Sequence, residues 1–107
     1  AVSKTGHRRL VPILPNLRAW LEPYRGRTGP IVAYKRPNMQ LCRLGQKAGV
    51  QWRHNGLRHS FGSYRVAVTK SIDQTSLEMG NSPAMVKKHY LEFVTEEEGK
   101  RWFSVVP

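Results

Sequence analysis

Five side chains of this 107-residue sequence combine donors, charge or a titratable hydroxyl with suggestive spacing: Lys4, Asn55, Arg58, Asn81 and Tyr90. Arg58 presents a planar fork of N–H donors that matches two oxygens of one anion. Asn55 and Asn81 offer neutral amide donors, which can hydrogen-bond an oxygen but cannot transfer a proton near neutral pH. The hydroxyl of Tyr90 gives up its proton at about pH 10 in an unperturbed phenol, and Lys4 carries a mobile ammonium. Taken one at a time, each has a plainer reading. Tyr90 is a packed aromatic one turn after Val86, Arg58 is a rim arginine pairing an acid such as Glu78, and Lys4 is solvated in a turn. Other chemistries find no residues. The histidines (His7, His54, His59 and His89) lack metal-site spacing, and the single cysteine, Cys42, adds no ligand set. Gly45, Gly49 and Gly56 fit no phosphate-cradling pattern. Paired carboxylates, a serine elbow and a Cys/His dyad are absent as well.

The elements that position these residues follow from local pattern. Ala1 to Ser3 and Arg8 to Ile13 read as two short strands around a turn at Gly6. Asn16 caps a short helix with Leu17, Trp20 and Leu21 on its apolar side, closed by Pro23 and Gly26. Residues 25–38 read as a loop with one short buried strand at Ile31 to Ala33. A helix over about 39–48 ends at Gly49. The next helix, from Gly56 to Thr69, carries two adjacent stripes. Leu57, Phe61, Tyr64 and Val68 form the apolar one, and Arg58, Gly62, Arg65 and Thr69 lie beside it. Gly62 leaves room there for a close backbone or ligand approach. Ser71 and Gln74 start a helix reaching Met79, Gly80-Asn81 breaks it, and Ser82-Pro83 opens another to about Leu91. Thr95 and Glu98 form a capping box for a terminal helix with Trp102 and Phe103. The expected class is α+β, mainly α-helical: about six short helices and a small sheet.

Composition sets the setting. One domain fits 107 residues, and 39% hydrophobic residues can bury a modest core. Lone Cys42 suits a reducing compartment, so a cytoplasmic location is expected. The net charge is +11, and it is lopsided: residues 1–70 hold 14 basic residues and one acidic residue. An excess of this kind repels itself unless an anionic partner is usual, and nucleic acid is the common one. A basic protein of ribosomal type is the bland alternative.

Order and spacing then point further. Lys4 lies in Ser3-Lys4-Thr5-Gly6-His7-Arg8-Arg9-Leu10-Val11-Pro12-Ile13. Asn55-Gly56-Leu57-Arg58-His59-Ser60-Phe61 follows, then Leu77-Glu78-Met79-Gly80-Asn81-Ser82, then His89-Tyr90. Asn81 stands 23 positions after Arg58, and Tyr90 nine after Asn81. Over nearly its whole length this resembles the C-terminal part of the catalytic domain of tyrosine recombinases, the phage-integrase family. That family has a hairpin lysine, a His-x-x-Arg-His box, a Leu-Gly-His-Ser-type box and a nucleophilic tyrosine on a following helix. Two box positions depart from the pattern: Asn55 and Asn81 stand where the family has histidine, or histidine or tryptophan. An earlier arginine that the family places before the hairpin has no counterpart in these 107 residues.

The resemblance implies a truncated recombinase catalytic fold, with a hairpin at 1–13, a helical core at 14–94 and a tail helix at 95–107. It implies site-specific cleavage and rejoining of double-stranded DNA through a 3′-phosphotyrosyl intermediate, without cofactor or metal. Tyr90 is then the nucleophile, Arg58 the phosphate clamp and Lys4 the proton donor, with Asn55 and Asn81 at the remaining catalytic positions. Lys4, Thr5, Arg8, Arg9, His54 and His59 are the expected DNA contacts. The source is a bacterial nucleoid, a phage or another mobile element, and self-association on DNA runs through the C-terminal tail. For want of the earlier arginine, the chain is expected to be inactive by itself. Two alternatives remain: a type IB topoisomerase-like enzyme, and a non-catalytic DNA-binding remnant of an integrase.

Overall fold

The computed structural model describes residues 8–107. Six α-helices follow one another: α1 (Pro15–Leu21), α2 (Pro37–Ala48), α3 (Gly56–Thr69), α4 (Ile72–Met79), α5 (Pro83–His89) and α6 (Glu96–Trp102), with a 3-10 turn at Glu22–Tyr24 after α1. Their starts are set by local chemistry. The Ser71 hydroxyl accepts from the Gln74 N–H, and the Ser82 hydroxyl accepts from the Met85 N–H. Thr95 and Glu98 satisfy each other's backbone donors in a full capping box at α6. Proline opens α1 and α2 instead, with no side-chain cap.

The expected α+β class is corrected: among the described residues there is no strand and no sheet. The first arm and the turn of the hairpin fall on residues 1–7, outside the described residues. Its second arm, Arg8 to Ile13, makes no ladder, and Leu10 is 99% exposed. The strand expected at Ile31 to Ala33 is also missing, and Ile31 lies wholly in solvent. Both segments have β-branched residues, yet a strand exists only through a partner's backbone, and neither finds one among the described residues.

Packing concentrates in the second half of the chain. α3 is the central element, with α6 on one side and α4 on the other, while α5 packs on α4. The apolar stripe of α3 meets α6: Tyr64 stacks on Trp102 at 5.4 Å between centroids, and Phe61 meets Phe103 edge-on at 6.0 Å. Leu57, at the end of that stripe, stays exposed. The adjacent stripe meets α4, where Arg65 donates to both carboxylate oxygens of Glu78 at 2.8 and 2.9 Å. Arg65 also lies over the Phe103 ring, which joins three helices at one ion pair. Val86 and Thr75 are fully buried and Met79 nearly so. Glu78 therefore belongs to Arg65, and the rim-pair reading of Arg58 with Glu78 is corrected.

Trp102 and Phe103 of the tail helix pack against α3 of the same molecule. The Trp20 indole N–H donates to the Val105 carbonyl at 3.0 Å and ties α1 to the chain end.

Candidate active site

α3 delivers Arg58 from its first turn, α4 ends at Met79, and α5 ends at Tyr90, so three helix ends meet at one place. Arg58 Nη2 donates to the Met79 carbonyl at 2.7 Å and to Asn81 Oδ1. Both acceptors are neutral, so the guanidinium keeps its charge uncompensated. No hydrogen bond engages Arg58 Nε or Nη1 among the described residues, and no buried side-chain nitrogen is left without a partner. Those N–H groups therefore face water, where an anion can reach them.

Beneath this guanidinium lies Tyr90, its ring centroid 5.5 Å from the Arg58 Cζ. The His59 ring stands 4.9 Å from the Tyr90 ring, and His89 packs edge-on at 6.5 Å. Two backbone bonds hold the tyrosine where α5 ends. Its N–H donates to the Val86 carbonyl at 3.0 Å, and its carbonyl accepts from the buried Ser63 hydroxyl at 2.7 Å. The same Ser63 oxygen accepts from the Glu92 N–H at 3.0 Å, so one serine fixes the chain on both sides of Leu91. The Tyr90 hydroxyl has no hydrogen-bond partner in the protein among the described residues, and it is not a buried orphan.

Gly62 makes this closeness possible. A Cβ there would stand 3.1 Å from Tyr90 Cβ and 3.2 Å from Met79 Sδ, tighter than ordinary side-chain contact. The room expected at Gly62 is thus filled by the tyrosine's own backbone end.

The structure brings together Arg58, Asn81 and Tyr90 of the expected catalytic set. Asn55 stays apart: it is the exposed N-terminal flank of α3, held at φ 53°, and its amide meets the His54 ring at 3.2 Å. His54 is thereby drawn to Asn55 rather than to Tyr90. Of the expected DNA contacts, Arg8 is exposed and Arg9 packs on Gly80. His59, expected only to touch DNA, lies against the tyrosine. Lys4 and Thr5 lie outside the described residues. Sequence reasoning did not single out Ser63 or the Met79 carbonyl. Ser63 follows His59 by one turn and borders Gly62, which is the only local signal it carries.

Chemically, this is a water-facing cation above a phenol, with a neutral amide carbonyl orienting the cation and two imidazoles beside the ring. Among the described residues no group of three metal-ligating side chains exists, and no helix is long and apolar enough to cross a membrane. No family model matches the chain, and no curated protein or solved structure does either.

Proposed function

We propose that this chain cleaves and rejoins DNA strands by the chemistry of the tyrosine recombinases, with Tyr90 as nucleophile. The observation that carries the reading is the Arg58 guanidinium over the Tyr90 ring, with its Nε and Nη1 donors left to water. On this reading a phosphodiester held by Arg58 presents its phosphorus to that phenol. The Tyr90 oxygen attacks phosphorus and loses its proton, and the bond from phosphorus to the 5′ oxygen breaks. The leaving oxygen takes up a proton and departs as a 5′-hydroxyl, while the 3′ end stays on the tyrosine. Attack by a 5′-hydroxyl reverses the sequence and joins strands. His59 and His89 stand against the ring, and on this reading a neutral imidazole there accepts the phenol's proton. Lys4 is assigned to the leaving oxygen on the resemblance alone.

The charge of the chain supports the substrate class. Fourteen basic residues against one acidic residue over residues 1–70 provide for phosphate contacts along a duplex.

A second reading, DNA binding without catalysis, draws on Asn81. Its Oδ1 is taken by Arg58, so it brings only a neutral donor where the family has a ring. A suicide DNA substrate, which traps covalent protein–DNA adducts, separates the two. Adduct formation that disappears in Tyr90→Phe supports strand cleavage. Salt-sensitive binding with no adduct supports the binding-only reading.

A further inference from the structure

We infer that Arg9 is a second phosphate-binding cation of the Arg58 site, seated there by Gly80, and that its ligand is a phosphodiester of DNA. The ligand's identity rests on the strand-cleavage reading; the anion site itself does not. Gly80 ends α4 in the left-handed region at φ 71°, and the Arg9 guanidinium occupies the space that a side chain at Gly80 would fill. Glycine suits the left-handed turn there, and its missing side chain leaves room for the Arg9 guanidinium. Arg58 grips the carbonyl of Met79, the peptide that leads into Gly80. The two guanidiniums touch the same short stretch of backbone and lie about 10 Å apart at most, the reach of one phosphate or two neighbours.

Nothing nearby neutralises them. Neither Arg9 nor Arg58 has an ion-pair partner among the described residues, and the acid of the last turn of α4, Glu78, is fully engaged by Arg65. Two cations are therefore held at one turn with no carboxylate, an arrangement that an anion stabilises and that repels itself without one. Arg43 serves as a control: it is an exposed arginine on α2 and makes no part of the proposed site.

The test follows the Nε–Hε signals of the arginines by NMR at constant ionic strength. Inorganic phosphate is titrated in one arm and a short DNA duplex in the other. Arg9 and Arg58 signals should move together in both arms. Arg9→Gln should weaken the Arg58 response at least tenfold, whereas Arg43→Gln should leave it within about twofold. An Arg9 signal that stays still, or equal effects of Arg43→Gln and Arg9→Gln, overturns the site. A response to phosphate without one to the duplex overturns DNA as its ligand. Failure of Tyr90 to form an adduct, with both arginine responses intact, sinks the cleavage reading and leaves the anion site standing.

Discussion

The Arg58 guanidinium stands 5.5 Å from the centre of the Tyr90 ring, and the same guanidinium is anchored through Nη2 to the Met79 carbonyl at 2.7 Å. A cation over a phenol ring is worth about 0.5–2 kcal/mol by itself. The anchor matters more for function, because it occupies one nitrogen and turns the remaining donors outward.

Arg58→Lys keeps the charge but not the fork. Arg58 keeps its Nε and Nη1 donors free while Nη2 holds Met79 and Asn81, and one lysine ammonium cannot supply both sets. Strand cleavage by the Arg58→Lys variant should fall about 100- to 1,000-fold, measured as the single-turnover rate of adduct formation. DNA affinity, which depends on many cations, should change less than about threefold. An equal fall in both would place Arg58 in general binding.

At Gly62 two effects oppose each other. Alanine in a helix interior gains about 1 kcal/mol over glycine. The new Cβ would press on Tyr90 Cβ and Met79 Sδ from 3.1 and 3.2 Å, and overpacking of that kind costs about 1–3 kcal/mol. The overlap wins, so Gly62→Ala should destabilise by about 1 kcal/mol in urea unfolding. A stabilised variant would show that Tyr90 and Met79 can retreat.

Legibility in the sequence tracked how local each cause was. The boundaries of α3 to α6 were readable because Ser71, Ser82 and Thr95 cap within three residues of themselves and Gly80 stops α4 by its own conformation. Strands were misread because Val11 and Val32 state only a preference, and without a paired backbone a preference makes no strand. Arg58 and Arg65 share one stripe of α3, seven residues apart, and periodicity alone could not say which reaches Glu78. The packing of α3 on α4 decided it. Arg58, Asn81 and Tyr90 were found through a spacing pattern, yet Asn55, three residues before Arg58, points its amide to His54 instead. Where a left-handed residue precedes a helix, its side chain leaves the helix's own register.

The Arg65–Glu78 pair predicts an acid sensitivity. The Arg65 hydrogen bonds, helped by one from Gln74, hold the Glu78 carboxyl below its usual 4.5 against the opposing effect of burial. A depressed pKa contributes stability that is complete above the unfolded value and lost as pH falls through the folded one. Stability should therefore drop below about pH 4.5, and Glu78→Gln should flatten that part of the profile. Glu96 is lowered to about 2 by Lys100 and then Lys70, but this is a surface cluster screened by salt. High salt should erase its share and leave that of Glu78. A profile unchanged by Glu78→Gln would contradict this assignment.

The tail supplies a prediction about assembly. Trp102 is half-buried against Tyr64 in the same molecule, so Trp102→Ala should cost about 2 kcal/mol, less than a full core truncation. That loss should not depend on protein concentration. A concentration-dependent loss would mean that the aromatic pair is covered by a second copy.

The central claim is that Tyr90 itself becomes bonded to DNA, and mass analysis of a trapped adduct tests it most directly. Trypsin cuts after Lys88 and Lys100, and the peptide between them contains Tyr90 as its only tyrosine. After nuclease trimming, the account predicts a residual nucleotide on that peptide, and its absence in Tyr90→Phe. A nucleotide on the peptide from His59 to Arg65, which carries Tyr64, would contradict the account.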